Sequence, residues 1–226
     1  MMAFVASRPH RGKFITFEGL DGCGKSTQLE NLAGALRQQG IAVVTTREPG
    51  GTDIGERIRA VLLDSRTAGL DSHAEMALMF ASRAQLIDEV IRPSLEAGKW
   101  VLCDRFTDST EAYQGGGRRL GSQVVLELHR DICGDLWPDL TILMDSDVNS
   151  SVTRARRRNK GAEHDENRFE KENRAFFTRV HEGFLAIAER EPQRVVKIDA
   201  QPAIDVVHQE IVRVVKERLN GIADRE

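Results

Sequence analysis

The sequence has no excess of positive charge and no long hydrophobic run. Its 226 residues carry 32 lysines and arginines against 35 aspartates and glutamates, which gives a formal net charge of −3. Because a chain without a basic field does not attract polyanions, we expect neither nucleic acid nor an anionic membrane as a partner. No apolar run approaches the roughly 20 residues that a membrane-spanning helix needs. The composition is that of an ordinary globular protein.

Cysteine is also scarce. The three cysteines, Cys23, Cys103 and Cys133, are odd in number and lack the spacing of metal ligands. We therefore expect free thiols and a reducing, cytoplasmic environment. The apolar part of residues 1–12 is too short for a secretory signal, so we expect a flexible N-terminus there.

A glycine-rich segment near the N-terminus carries the clearest motif. Gly19, Gly24, Lys25 and Ser26 match the pattern G-x-x-x-x-G-K-[ST]. An apolar run precedes the motif and residues at helical spacing follow it, so backbone N–H groups can bind phosphate at a helix N-terminus. We predict that Lys25 reaches the β- and γ-phosphates of ATP and that Ser26 ligates Mg²⁺. The predicted ATP-binding residues, called the phosphate loop below, are Gly19, Leu20, Asp21, Gly22, Cys23, Gly24, Lys25, Ser26 and Thr27.

Short apolar runs alternate with longer segments of helical periodicity along the chain. Strands are predicted at residues 14–17, 41–46, 100–103, 140–144 and 194–198. A long helix is predicted at residues 72–97, where Pro93 either kinks it or begins a new helical turn. The alternation indicates a parallel sheet covered on both faces. We therefore predict an α/β fold of the P-loop NTPase type, with a five-stranded parallel sheet, helices on both faces and a short lid segment. Residues 1–226 form a single kinase domain in this prediction, with the lid at about residues 154–170.

Charged residues follow the carboxyl ends of three predicted strands, where open parallel sheets bind ligands. Arg47 follows the second strand, Asp104 and Arg105 follow the third, and Asp145 ends the fourth. Two arginines beside a phosphate loop favour a second phosphate-bearing substrate. Asp104 is the predicted carboxylate for Mg²⁺, acting through water. Asp145 is the competing candidate, with an alternative role as the cap of the next helix.

A basic segment follows the fourth strand. It is either a solvated helix end, favoured by the helix dipole, or a lid that brings arginine to the nucleotide. We favour the lid, because the phosphate loop has no arginine to stabilise transition-state charge. Which of Arg154, Arg156, Arg157 and Arg158 contacts the phosphates stays open. The predicted catalytic residues are Lys25, Asp104, Arg105, Arg154 and Arg158.

Four segments of the sequence resemble bacterial thymidylate kinases. They are residues 17–27, Thr46-Arg47-Glu48-Pro49-Gly50-Gly51-Thr52, Asp104-Arg105-Phe106 and Ala112-Tyr113-Gln114-Gly115-Gly116-Gly117. The similarity is collinear from about residue 13 to residue 219. It implies the reaction ATP + dTMP → ADP + dTDP with Mg²⁺. It also implies a homodimer formed through helices on one side of the sheet.

The resemblance further implies a role for individual residues around dTMP. Asp21 corresponds to an acid that holds the 3′-hydroxyl, and Arg47 and Arg105 correspond to arginines that grip the 5′-phosphate. Arginine suits that task because it binds phosphate with two parallel N–H groups. Tyr113 corresponds to a ring that packs on the sugar and disfavours a 2′-hydroxyl.

At the base, the resemblance implies that Arg83 bonds thymine O4 and that Thr110 and Gln114 lie near the base edge. Many family members have a phenylalanine four residues before this arginine, stacked on thymine. Here Met79 occupies that position and Phe80 follows it. Adjacent helical positions differ in direction by about 100°, so either Met79 contacts the base through its thioether or the helix presents Phe80 instead.

Two other functions fit parts of the sequence. One is a kinase of the same fold that acts on another nucleoside monophosphate or on a deoxynucleoside. The other is a nucleotide-dependent switch or partner-binding ATPase, which would hydrolyse ATP without an acceptor. The preferred acceptor nucleotide distinguishes the first alternative from a thymidylate kinase. Hydrolysis of ATP in the absence of an acceptor would indicate the second.

Overall fold

The computed structural model describes residues 11–67, 69–159 and 168–219, with the backbone alone at residues 158 and 159. The strands are β1 Phe14–Glu18, β2 Val43–Arg47, β3 Trp100–Asp104, β4 Leu140–Asp145 and β5 Val195–Asp199. They form one sheet in the order β2-β3-β1-β4-β5, and every pairing is parallel. The prediction of a five-stranded parallel sheet is confirmed.

The described helices lie on both faces of this sheet. They are α1 Lys25–Gln38, α2 Asp53–Leu63, α3 Ser72–Leu86, α4 Arg92–Glu96, α5 Thr107–Thr110, α6 Ser122–Cys133, α7 Val148–Asn159, α8 Arg174–Arg190 and α9 Ile204–Arg218. Helices α1 and α9 pack on one face, where Ile15 and Phe17 of β1 join their core. Phe14 points to the opposite face, into the core of α3 and α6. Helix α8 contributes to a third cluster, with Tyr113 and Leu143.

The long helix that the sequence predicts around Pro93 is continuous. Helix α3 passes through a wide π-helical turn at Ile87–Ile91 into α4, and Pro93 lies in the first turn of α4. Proline has no N–H, and its ring crowds the carbonyl four residues earlier, so a wider turn before it relieves both problems. Pro93 was expected either to kink the helix or to begin a new helical turn, and the structure shows the new turn.

One helical segment was not predicted. Helix α5 continues through wide turns at Glu111–Gly117 and packs closely on α8. A β-carbon at Gly117 would lie 2.6 Å from the Phe176 ring, and one at Gly183 would lie 3.2 Å from the backbone of Ala112. Glycine therefore serves close helix packing here, although its low helix propensity gives no sign of a helix.

Some predictions extend beyond the described ranges. The flexible N-terminus and the middle of the lid lie largely outside them, so the single domain over residues 1–226 stays a prediction. Within the described ranges, no helix is both long enough and apolar enough to cross a membrane. Cys23, Cys103 and Cys133 are buried free thiols.

Candidate active site

A cavity of about 510 Å³ opens at the carboxyl ends of β1, β2 and β3. Residues of the phosphate loop line it, together with residues of α3 and of the segments that follow β2 and β3. Arg154 and Phe169 border it from the region of the predicted lid. This is the sheet edge at which the strand-end residues were expected to meet.

The phosphate loop needs its glycines for close backbone approach. Gly19 has φ +130°, and a β-carbon there would lie 2.5 Å from the Met144 carbonyl oxygen. Gly22 has φ +80°, and its β-carbon would lie 2.4 Å from the Ser151 carbonyl oxygen. Gly24 precedes α1 and contributes no side-chain cap. The N–H groups at the start of α1 are therefore available to an anionic ligand.

Lys25 and Ser26 lie at the start of α1 and face the cavity. The Lys25 ammonium donates to the carbonyl oxygens of Leu20 at 2.9 Å and Gly19 at 3.2 Å. The Ser26 hydroxyl donates to Asp104 Oδ2 at 2.6 Å. Among the described residues, no group of three or more His, Cys, Asp and Glu side chains could hold a metal ion. A hydroxyl beside one carboxylate nonetheless suits Mg²⁺, which takes oxygen ligands and completes its shell with water and substrate phosphate.

Asp145, the competing candidate, is bound elsewhere. It accepts a hydrogen bond from His181 Nε2 at 2.7 Å and lies 3.5 Å from the Lys197 ammonium. The cap of helix α7 comes from Asp147, whose Oδ1 accepts from the Ser150 N–H at 2.8 Å. Asp104, and not Asp145, therefore meets the Ser26 hydroxyl, and Asp147 fills the capping role that was the alternative for Asp145.

Arg105 forms the centre of a polar cluster between the phosphate loop and the rest of the cavity. Its guanidinium donates to Asp21 Oδ1 at 2.8 Å and to Ser109 Oγ at 2.7 Å. The Tyr113 hydroxyl donates to Asp21 Oδ2 at 3.1 Å, and its ring lies under the Arg105 guanidinium at 5.0 Å. Arg105 itself has φ +76°, a left-handed conformation that costs energy for a residue with a side chain. These contacts hold Asp21, Arg105 and Tyr113 in one arrangement.

Electrostatics in this cluster keep Asp21 ionised. Burial alone would raise the pKa of Asp21, but Arg105 and Lys25 together hold that pKa well below its ordinary value. Asp21 therefore presents carboxylate oxygens that accept hydrogen bonds. Such oxygens suit a ligand hydroxyl at the point where the phosphate loop meets the pocket.

Glu18 supports the cluster from below and was not among the predicted site residues. It ends β1, is fully buried, and accepts from the Phe106 N–H at 2.7 Å and from the Ser109 hydroxyl. Burial and the nearby Asp108 carboxylate raise the pKa of Glu18 to about 8. Its signal in the sequence was an acid at the end of an apolar strand, directly before the phosphate loop.

Arg83 is a buried side chain that also lines the cavity. This side chain is 1% exposed. It donates to Glu48 Oε2 at 2.8 Å and to Thr110 Oγ1 at 2.9 Å. Its Nη1 atom is buried and has no hydrogen-bond partner among the described residues. Since an unpaired buried donor is costly, this atom is a natural partner for an acceptor on a ligand.

Met79 and Phe80 occupy different environments. Met79 lines the cavity and is partly buried. Phe80 is fully buried in the core on α3, where its ring lies 4.7 Å from the Arg83 guanidinium. The expectation that Phe80 contacts the nucleotide is therefore corrected, because Phe80 points into the core and supports Arg83. Met79 is the residue available to a base.

Gln114 also lines the cavity, and its amide nitrogen donates to the buried carboxylate of Glu75 at 2.6 Å. Glu75 in turn pairs with Arg118 and Arg168. The sequence did not indicate this network, because its members come from three separate segments.

The remaining predicted arginines differ in position. Arg47 lines the cavity and pairs with Glu56 at 2.9 Å. Arg154 also lines the cavity, and its Nε donates to the carbonyl oxygen of Gly22 at 2.8 Å. Arg156 donates instead to backbone carbonyls at residues 170 and 172. Arg157 is exposed, and the side chain of Arg158 lies outside the described part of the chain.

Comparisons with known proteins agree with this geometry. A family model described as thymidylate kinase matches residues 17–211. A thymidylate kinase of Desulfovibrio desulfuricans is 52% identical over 199 residues, which cover 87% of this chain and 92% of that protein. One from Alkalilimnicola ehrlichii is 48% identical over 197 residues, covering 87% and 89%. The crystal structure of thymidylate kinase from Ehrlichia chaffeensis aligns with a TM-score of 0.72 at 36% identity, covering 91% of this chain and 99% of that one.

Proposed function

The chain belongs to the thymidylate kinase family, and we propose that it transfers the γ-phosphoryl group of ATP in line to the 5′-phosphate of dTMP. The products are ADP and dTDP, which feeds dTTP synthesis for DNA. One observation carries this proposal beyond the family match. A single cavity holds both the phosphate loop and two further arginines, Arg47 and Arg105, that can bind a second phosphate.

On the donor side, the chain acts by position and charge. The N-terminus of α1 and the Lys25 ammonium bind the β- and γ-phosphates, and Arg154 adds a cation beside Gly22. Phosphoryl transfer spreads negative charge over the equatorial oxygens, so fixed cations stabilise the transition state. No strong general base is required, because the acceptor phosphate is already anionic near neutral pH. Arg158 stays a candidate for the same role.

Ser26 and Asp104 would hold Mg²⁺, Ser26 directly and Asp104 through water. When bound, the ion neutralises charge on the β- and γ-phosphates. The 2.6 Å hydrogen bond between these side chains keeps their oxygens close enough to serve one ion. We expect Asp104→Asn to require a several-fold higher Mg²⁺ concentration for half-maximal activity. A Mg²⁺ titration of initial rates checks this, and an unchanged midpoint would contradict the assignment.

On the acceptor side, Arg105 and Arg47 hold the 5′-phosphate and Asp21 accepts a hydrogen bond from the 3′-hydroxyl. The Tyr113 ring is fixed by Arg105 and Asp21, so it would crowd a ribose 2′-hydroxyl. The unpaired Nη1 of Arg83 would be the donor to thymine O4. Thr110 orients Arg83 through the 2.9 Å hydrogen bond between them. Met79 provides an apolar contact for the base.

Formation of ADP by the purified protein tests this function. The assay contains ATP and Mg²⁺ with dTMP, dUMP, dCMP, dAMP, dGMP or UMP, and a control without acceptor. We expect turnover with dTMP far above that with the purine nucleotides or UMP. Preference for a different acceptor would indicate another kinase of this fold, and ADP formation that ignores the acceptor would indicate a nucleotide switch.

We further propose a cytoplasmic homodimer. Four exposed aliphatic side chains lie on α2 and α6, which both pack against α3. They are Ile54, Val61, Val124 and Ile132. Exposed aliphatic side chains on neighbouring helices suit burial against a second copy. Light scattering coupled to gel filtration tests this, because a mass near 25.2 kDa would indicate a monomer.

A further inference from the structure

Glu75 is a buried carboxylate with partners from two other segments. It lies in the first turn of α3 and is fully buried. Its Oε1 accepts from Gln114 Nε2 at 2.6 Å. Its Oε2 accepts from Arg168 Nη1 at 2.6 Å and from Arg118 Nη2 at 3.0 Å. Nothing in the proposed mechanism requires a carboxylate at this position, so its role needs an explanation.

The surrounding charges fix Glu75 as an acceptor. Guanidinium groups have N–H donors and no acceptor, so Arg118 and Arg168 both require lone pairs on Glu75. Arg118 also pairs with Glu172 at 2.5 Å. Two arginines and two carboxylates therefore form a cluster with no net charge. Buried charged groups are tolerated when they are paired in this way.

This arrangement decides which way the Gln114 amide points. A glutamine side chain has a donor end, Nε2, and an acceptor end, Oε1. Glu75 accepts from the donor end. Turning the amide would place Oε1 against a carboxylate oxygen, two acceptors with no hydrogen between them. Oε1 is thus the remaining polar atom of a side chain that lines the cavity.

We propose that Glu75 is a positioning residue for base selection, holding the Gln114 amide so that Oε1 accepts a hydrogen bond from N3–H of thymine. The proposal rests on the proposed function, because it requires dTMP in this cavity. Arg83 and Gln114 both line the cavity, so with Arg83 Nη1 as the donor to O4 the pocket would offer the base one donor and one acceptor. Thymine and uracil match this pair, whereas cytosine presents an unprotonated N3 and an amino group and matches neither.

Calorimetric titration with dTMP, dUMP and dCMP tests the inference by binding alone. The key variant is Glu75→Gln, whose amide can donate or accept, so that Gln114 is free to turn. We expect the ratio of the dCMP to the dTMP dissociation constant to fall about 10-fold, the size of one lost hydrogen-bond preference. The ratio of dUMP to dTMP should not change, because both bases carry N3–H and O4.

The matched control is Glu111→Gln. Glu111 is also buried, belongs to the same helical segment as Gln114 and forms two hydrogen bonds with Arg190. It does not line the cavity. Loss of this ion pair should lower stability and leave both ratios of dissociation constants as in the wild type.

Two further variants keep the test decisive. Gln114→Met removes the amide. If Glu75 acts through Gln114, the double variant with Glu75→Gln should have the same ratio of dCMP to dTMP dissociation constants as Gln114→Met alone. If Glu75→Gln does not fold, Glu75→Asp keeps the charge between the arginines, withdraws the carboxylate from Gln114 and should give the same fall. A folded Glu75 variant with the wild-type ratio would overturn the proposal. Failure of the wild type to phosphorylate dTMP would instead overturn the proposed function.

Discussion

The phosphate loop and the pocket of side chains that we propose binds the nucleoside share one cavity but are built in different ways. The loop is a run of consecutive residues, 19–27, that offers mainly backbone N–H groups at the start of α1. The pocket is assembled from side chains that follow β2 and β3 and from α3. A backbone site depends on local conformation, which glycines permit. A side-chain site depends on what holds each side chain in place.

What holds the pocket side chains is a set of paired charges. Asp21 pairs with Arg105, and Glu48 pairs with the buried Arg83. Glu75 pairs with Arg118 and Arg168 and accepts a hydrogen bond from the neutral Gln114 amide. Removing one partner of such a pair leaves the other buried and uncompensated. Substitutions in the pocket should therefore disturb both binding and local order, whereas substitutions in the loop should disturb the rate.

The largest effect is expected on the donor side. Lys25→Met removes the cation that we propose binds the β- and γ-phosphates, and we expect kcat to fall by about 10³-fold. Calorimetry should show dTMP binding close to that of the wild type, because Lys25 does not hold the acceptor. Arg37→Met on the exposed face of the same helix is the control and should retain full activity. A loss below 10-fold for Lys25→Met would contradict the role of the loop.

Arg105→Ala tests the acceptor side. It removes the proposed charge-assisted contact to the 5′-phosphate, and we expect kcat/KM for dTMP to fall by about 10²-fold. The KM for ATP should change far less, because Arg105 is not expected to bind the donor nucleotide. Steady-state kinetics with each substrate varied in turn measures both values. A folded variant whose kcat/KM for dTMP falls less than about threefold would contradict the proposed role of Arg105 in binding the 5′-phosphate.

A pH dependence should arise from Glu18 beneath the pocket. The folded protein keeps the Glu18 proton up to about pH 8, whereas the unfolded chain loses it near its ordinary pKa of 4.5. The folded state thus binds more protons between these values. The free energy of unfolding should fall as pH rises, by at most about 1.4 kcal/mol per pH unit from this group.

The Glu18→Gln variant has no ionisable group at this position, so its free energy of unfolding should lack this pH dependence. Urea unfolding of both proteins from pH 5 to pH 8 gives the comparison. We expect the stability of the wild type relative to the variant to decline across the range. Two parallel curves would show that Glu18 ionises normally and would contradict its raised pKa.

The smallest effect separates two adjacent residues of α3. Met79→Ala removes the apolar contact proposed for the base, and we expect the dissociation constant of dTMP to rise about three- to tenfold. Its thermal stability should change little, because Met79 lines the cavity. Phe80→Leu should lower the free energy of unfolding by about 1 kcal/mol through altered core packing. If Phe80→Leu affected dTMP binding more than Met79→Ala, the roles assigned to the two residues would be reversed.

Much of the fold was predictable because its signals are local. The apolar runs around Ile15, Leu102 and Ile142 became buried central strands, and the motif ending in Lys25 and Ser26 became a loop before a helix. The helical segment at Glu111–Gly117 was missed, because its glycines serve contact with α8, a partner about 60 residues away. Asp21 and Arg105, which pair at the cavity, lie within motifs and could be named as candidates in advance for the same local reason.

By itself, the sequence determined the parallel α/β architecture, the phosphate loop and the resemblance to one kinase family. Each of these depends on residue type and short-range spacing, which remain visible in an unfolded chain. Only the tertiary structure decided that Met79 faces the cavity, that Phe80 supports Arg83, and that Asp104 rather than Asp145 meets Ser26. It alone brought Glu75 to Gln114, 39 residues along the chain. Such choices depend on which distant group neutralises a buried charge or accepts a buried hydrogen, and that is decided when the segments pack together.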